Sequence, residues 1–142
     1  MSTSNFPDVN VWVALAWRNH IHHDAALRWF LSSNQYNYFC RHTQLGFLRL
    51  ITTRSMLGED TRSLDDAWRL WDEVWEYRRI GFHPEPAGVE SHFRNYTQGS
   101  NASNKLWVDA YLLAFARAAG LRLVTFDRAL AARSMLATLL ES

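Results

Sequence analysis

The sequence predicts an α/β fold: a mostly parallel sheet flanked by helices. Three observations carry this. Short apolar runs that read as strands alternate with segments of helical periodicity over the whole chain, the order expected when strands pair in parallel through helical crossovers. The clearest helix, residues 106–119, is closed by Gly120 and leads at once into the apolar run at 121–126. The first and last apolar runs each stop at an aspartate, Asp8 and Asp127, and in parallel sheets ligands bind outside the carboxyl ends of the strands.

The elements follow in order. Residues 5–8 form a first extended segment, with Pro7 at its last paired position because proline cannot donate to a ladder. VNVWVALAW is apolar on nearly every side, as in a helix packed within an α/β layer. After the turn NHIHH, DAALRWFLSS reads as a second helix, and residues 36–41 (YNYFCR) read as the second strand by their aromatic content. Leu45, Leu48 and Ile51 repeat with helical spacing behind Thr43, a predicted N-cap. Ser63, with Asp66 three residues on, predicts another cap, and Trp68, Trp71 and Trp75 form a stripe assigned to core packing. IGFHPEP is a short third strand stopped by Pro84, and a helix should start near Pro86 or Ala87. Residues 96–104 (YTQGSNASN) are a loop before the motif-rich last third, and residues 121–126 are the fourth strand.

A chain of 142 residues suits one domain spanning residues 1–142, and 48% hydrophobic with 20% charged residues is globular usage. Fifteen basic against fourteen acidic residues give a net charge of +1, so no general attraction to nucleic acid exists and any such role needs a local patch. Lys105 is the single lysine, and the other basic residues are arginine. Cys40 stands alone, which excludes an internal disulfide and a cysteine-based zinc site. MSTSNFPDVN carries no secretory pattern, and no apolar run is long enough to span a bilayer, so a cytoplasmic protein without a membrane partner is expected.

Asp109 joins the two strand-end acids. From Asp109 to Ala119 a helix rises about 15 Å, and residues 121–127 extend about 20 Å, so an antiparallel helix and strand joined at Gly120 bring Asp109 near Asp127. Three carboxylates in one cleft repel unless a cation neutralises them, and hard oxygen donors suit Mg²⁺ or Mn²⁺, which points to phosphodiester hydrolysis. The structural alternative is that Asp8 and Asp127 cap the helices that follow them. His20, His22, His23 and Asp24 are better explained by capping and packing around a turn than by zinc. There is no Gly-rich phosphate loop. Asn10 stands where a haloacid-dehalogenase-type phosphatase would need a second aspartate, and the acidic pair and late lysine of a response-regulator receiver are missing.

DVNVWVALA, VDAYLLAFARAAGL and LVTFDRAL together resemble the PIN-domain family, and nearly the whole chain is similar to VapC-type toxin ribonucleases. The resemblance implies a three-layer α/β/α PIN-like domain with a sheet of four to five strands. It also implies Mg²⁺ or Mn²⁺ dependence, endonucleolytic cleavage of RNA by metal-activated water, a homodimer, and a cognate antitoxin whose segment lies across an aromatic groove. Asp8, Asp109 and Asp127 match the family's acidic positions, and Asn10 and Thr125 its small polar supports. The family's Glu after the second strand, in a Thr-x-x-Glu pattern, is absent: Thr43 and Gln44 are followed by Gly46 at the matching place. Gln44 then serves as an uncharged support, and the site holds three carboxylates rather than four. Arg49 and Arg128 are the candidate contacts to the RNA backbone. The alternative function is a catalytically weak or dead PIN-like domain that binds RNA or protein.

Overall fold

The computed structural model describes residues 3–99 and 101–142. Ser100, within the expected 96–104 loop, and the first two residues of the N-terminal stretch lie outside the described residues. Among the described residues, five strands form one parallel sheet: β1 (Asn5–Pro7), β2 (Asn37–Phe39), β3 (Ile80–Phe82), β4 (Arg122–Thr125) and β5 (Thr138–Leu139), in the order β3-β2-β1-β4-β5. The fold is the expected α/β/α arrangement, and β5 is the strand that the sequence reading did not place. Two residues are too few to leave a periodic signal. Observed strands are also shorter than read: Asp8 and Arg41 already belong to helix starts, and β4 covers only Arg122–Thr125 of residues 121–126.

From β1 the chain moves outward through α1 (Val9–Ala16), α2 (His23–Leu31), β2, α3 (Arg41–Ile51), α4 (Arg54–Leu57), a 3-10 turn (Gly58–Asp60) and α5 (Leu64–Val74) to β3. It then returns past β1 through α6 (Val89–Tyr96) and α7 (Asn104–Ala119) to β4, and α8 (Arg128–Ala131) leads to β5. The strand order therefore reverses between β1 and β4. That is the topological switch point at which the carboxyl ends of neighbouring strands open a crevice.

Two apolar clusters cover the two faces of the sheet. One gathers Phe6, Leu112, Phe115, Leu123 and Leu130 beneath α7 and α8, with the Phe6 and Phe115 rings stacked at 4.7 Å. The other gathers Trp12, Phe39, Phe47, Ile51 and Trp71 beneath α1, α3 and α5, with Trp12 stacked on Phe39 at 3.8 Å. Adjacent side chains on a strand point to opposite faces, so each short strand feeds both clusters. The tryptophan stripe only partly serves this core: Trp71 is buried and Trp75 half-buried, but Trp68 is 52% exposed.

Pro7 pairs with Val124 at the last register position of β1, as its missing donor requires. The next residue resumes the ladder, Asp8 N–H donating to the Val124 carbonyl at 2.9 Å. At α3 the expected cap is corrected. Cys40 is the N-cap, and Thr43 sits one turn in, where its hydroxyl accepts from the Cys40 N–H at 2.9 Å in a capping-box arrangement. The sixth helix starts at Val89 rather than near Pro86, after Gly88 at φ 87°, a conformation that favours glycine. Ser63 and Gly120 end their helices as read. Among the described residues no helix is long and apolar enough to cross a membrane.

Candidate active site at the switch point

Asp8 stands immediately after β1 and is 7% exposed. One carboxylate oxygen, Oδ1, accepts from the Val11 N–H at 3.2 Å and caps α1; the other, Oδ2, accepts from the Thr125 hydroxyl. Asp127, after β4, divides its oxygens in the same way. Its Oδ1 accepts from the Leu130 N–H at 3.0 Å and caps α8, while Oδ2 accepts from Lys105 Nζ at 2.6 Å. Both acids are thus helix caps, as the structural alternative held. Each nevertheless keeps a second oxygen that the cap does not use.

Thr125, fully buried at the end of β4, links the two acids. Its hydroxyl donates to Asp8 and accepts from the Asp127 N–H at 2.9 Å. Asp109 comes from the first turns of α7, which runs back along β4 after the left-handed Gly120 at φ 69°. Its Oδ2 accepts from the same Lys105 Nζ at 2.7 Å. One ammonium therefore joins Asp109 and Asp127, and one hydroxyl joins Asp127 to Asp8.

The charge states follow from this geometry. Burial pushes the Asp8 carboxyl up to about 6, against the opposing hydrogen bonds of Thr125 and of the Val11 and Asn10 amides, with the Asp127 charge adding to the rise. Asp127 is held below the usual carboxylate range, first by Lys105 and then by the Leu130 amide. Lys105 is raised in turn by Asp109 and Asp127. A buried carboxylate that resists ionisation beside the charged Asp127 marks a place where added positive charge would be favourable.

The remaining predicted residues are placed as follows. Asn10 is exposed in the first turn of α1, and its contribution to Asp8 is the backbone amide. Gln44 is buried at 6% exposure, and its amide oxygen accepts from the Arg41 guanidinium, which lies over the Phe82 ring at 4.9 Å. Arg49 is exposed near His42, whose pKa is lowered by burial and then by the Arg49 charge. Arg128 is exposed and pairs with Glu141 at 3.1 Å. Gly46 lies against α1: a Cβ there would come within 2.6 Å of Val9 Cγ2, so Val9 fills the space in front of the position where the resemblance expects Glu.

Lys105 is the residue that sequence reading missed. Its signal was faint but present, since the chain's one lysine lies four residues before Asp109, one helical turn away on the same face. Among the described residues no three His, Cys, Asp or Glu side chains converge closely enough to hold an ion as they stand. The donor chemistry still fits a hard divalent cation. Asp109 and Asp127 already aim oxygens at a single cation, and Asp8 is the nearby acid whose ionisation such a charge would favour.

Comparisons with known proteins agree with this architecture. The PIN domain family matches residues 6–134. Ribonuclease VapC41 of Mycobacterium tuberculosis is 38% identical over 128 residues, covering 86% of this chain and 88% of its own. Ribonuclease VapC39 of the same species is 31% identical over 125 residues, covering 87% and 88%. Among solved structures, M. tuberculosis VapC20, described as a sarcin-ricin loop cleaving toxin, superposes with a TM-score of 0.68 at 18% identity, over 96% of this chain and 99% of that one. VapBC2 from Rickettsia felis, bound to a promoter DNA fragment, gives 0.64 at 13% identity over 95% and 96%. With a family match over nearly its whole length and relatives of this identity and coverage, the chain belongs to the PIN domain family.

Proposed function

We propose that the protein is a metal-dependent endoribonuclease, the toxin of a type II toxin–antitoxin module, which hydrolyses RNA phosphodiester bonds. The observation that carries this reading is the linkage of Asp8 to Asp127 through Thr125 and of Asp127 to Asp109 through Lys105, beside the β1/β4 switch point. The naming of its relatives as VapC ribonucleases supports the same activity.

Asp8, Asp109 and Asp127 would hold Mg²⁺ or Mn²⁺, and the ion when bound supplies activation of water for in-line attack and screening of the phosphate charge. The chain's own residues do the rest. Thr125 fixes the rotamer of Asp8 and ties it to the Asp127 backbone, so the two acids keep one spacing. The two caps anchor Asp8 Oδ1 and Asp127 Oδ1, which leaves Oδ2 of each, bonded to Thr125 and to Lys105, as the oxygen that a cation would take up. Arg49 and Arg128, both exposed, are the proposed contacts to the RNA backbone, and Arg128 would exchange Glu141 for a phosphate.

A cognate antitoxin is the proposed protein partner. A cleft of about 760 Å³ between α1, α2 and α5, lined by Trp12, Leu15, Leu27, Phe30, Leu70 and Tyr77, suits an apolar segment of such a partner. A homodimer and a cytoplasmic location belong to the same reading. One observation favours a second reading, a binding domain of weak activity: Gly46 and Val9 leave the site without a fourth carboxylate.

Cleavage of total cellular RNA by the purified protein with Mg²⁺ or Mn²⁺ decides between the two, run beside EDTA and Asp8→Ala. Discrete fragments that vanish in both controls are expected. Wild type and variant behaving alike on RNA that contains the target would leave the binding domain.

A further inference from the structure

Among the described residues, Lys105 is the side chain that bonds the carboxylates of two of the three acids. Its partners are held by the fold. Asp109 is 17% and Asp127 30% exposed, carried on α7 and at the cap of α8, whereas the Lys105 side chain is 64% exposed. The carboxylates are therefore the fixed part of the contact and the ammonium the movable part. A lysine head is a compact, strongly hydrated charge on a flexible stem, which can leave for water at small cost. It binds Oδ2 of Asp109 and Oδ2 of Asp127, and the caps make Asp127 Oδ2 the oxygen available to an incoming cation. A divalent ion drawn to these oxygens would repel the ammonium already on them, so the two compete.

We propose that Lys105 is a displaceable internal cation, which neutralises Asp109 and Asp127 in the ion-free protein and competes with the divalent ion for their oxygens. The inference rests on the reading that the three acids hold such an ion. It also accounts for one feature of the site: among the described residues, no three such side chains converge closely enough to hold an ion as they stand. A lysine that served only to staple α7 to α8 would stabilise the fold to the same extent with or without metal.

The test is Mn²⁺ titration of the full chain by calorimetry, for wild type, Lys105→Met and Lys105→Gln, with melting temperatures taken in EDTA and in saturating Mn²⁺. Two neutral replacements guard against an artefact of either side chain, and the exposure of Lys105 leaves the core untouched. Both variants are expected to bind Mn²⁺ roughly three- to tenfold more tightly, because the competing contacts that reduce the binding-competent fraction are gone. Both should melt below wild type in EDTA, and the gap should close in Mn²⁺. Wild-type binding with unchanged or weaker affinity in both variants would overturn the competition. So would a melting gap of equal size with and without the ion. No Mn²⁺ binding by any of the three proteins would overturn the metal reading itself, and this inference with it.

Discussion

Asp8 carries a conflict between stability and function. Its ordinary value of 3.8 rises to about 6 in the fold, chiefly through burial. The folded form therefore binds a proton that the unfolded chain has already lost. The stabilisation this gives is fully present below about pH 3.8 and is gone once the pH passes about 6. A shift of about two units corresponds to about 3 kcal/mol, an upper bound on what the ionised side chain costs at neutral pH without a cation. Asp8→Asn keeps a cap acceptor for Val11 and removes the charge. In EDTA at pH 7.5 the variant should melt a few degrees above wild type, and this gain should shrink at pH 5, while RNA cleavage is lost. A variant no more stable than wild type at pH 7.5 would contradict the cause assigned to the shift. At this scale the sequence was informative about the acids, because a carboxylate after a buried strand stands out. Lys105 escaped it because lysine four residues before an aspartate is ordinary on any helix, and only the fold shows that Asp127 shares the same ammonium.

Among the elements, the crossing of α1 and α3 is tightest at Gly46, the position where the resemblance expects the fourth acid. Gly46 on α3 and Val9 on α1 are complementary in size, and a Cβ at 46 would meet Val9 Cγ2 at 2.6 Å. Valine is stiff about its first side-chain torsion and cannot swing away cheaply. Gly46→Ala should therefore destabilise by about 1–2 kcal/mol, overpacking outweighing the roughly 1 kcal/mol that alanine brings to a helix interior. In a Val9→Ala background the same change should be neutral or stabilising. The coupling is read from a double-mutant cycle by denaturant unfolding, and simple additivity would show that the two helices do not meet at these residues. Helix ends were legible where a cap residue carries the signal, as at Ser63 and Gly120. Thr43 misled because a capping box works in both directions: the threonine that looked like a cap is the third helical residue, reaching back to Cys40.

For the whole molecule, the parallel order of strands places the acids of the candidate site. The parallel pairing of β1 with β4 sets Asp8 and Asp127 at one edge, where the strand order reverses, and the return of α7 along β4 adds Asp109. The alternation of strands and helices made this arrangement readable in advance, since a parallel sheet follows from it and strand-end residues then share an edge. The two-residue β5, the short α4 and the 3-10 turn after it were not readable, because segments of two to four residues are fixed by tertiary contacts rather than by local periodicity. The central claim is that these three acids form one site for a divalent cation. Anomalous scattering from crystals soaked in Mn²⁺ tests it most directly. The account predicts a peak contacted by Asp8, Asp109 and Asp127, with the Lys105 ammonium withdrawn from at least one carboxylate. No peak among the three acids, with Lys105 still bridging Asp109 and Asp127, would contradict it.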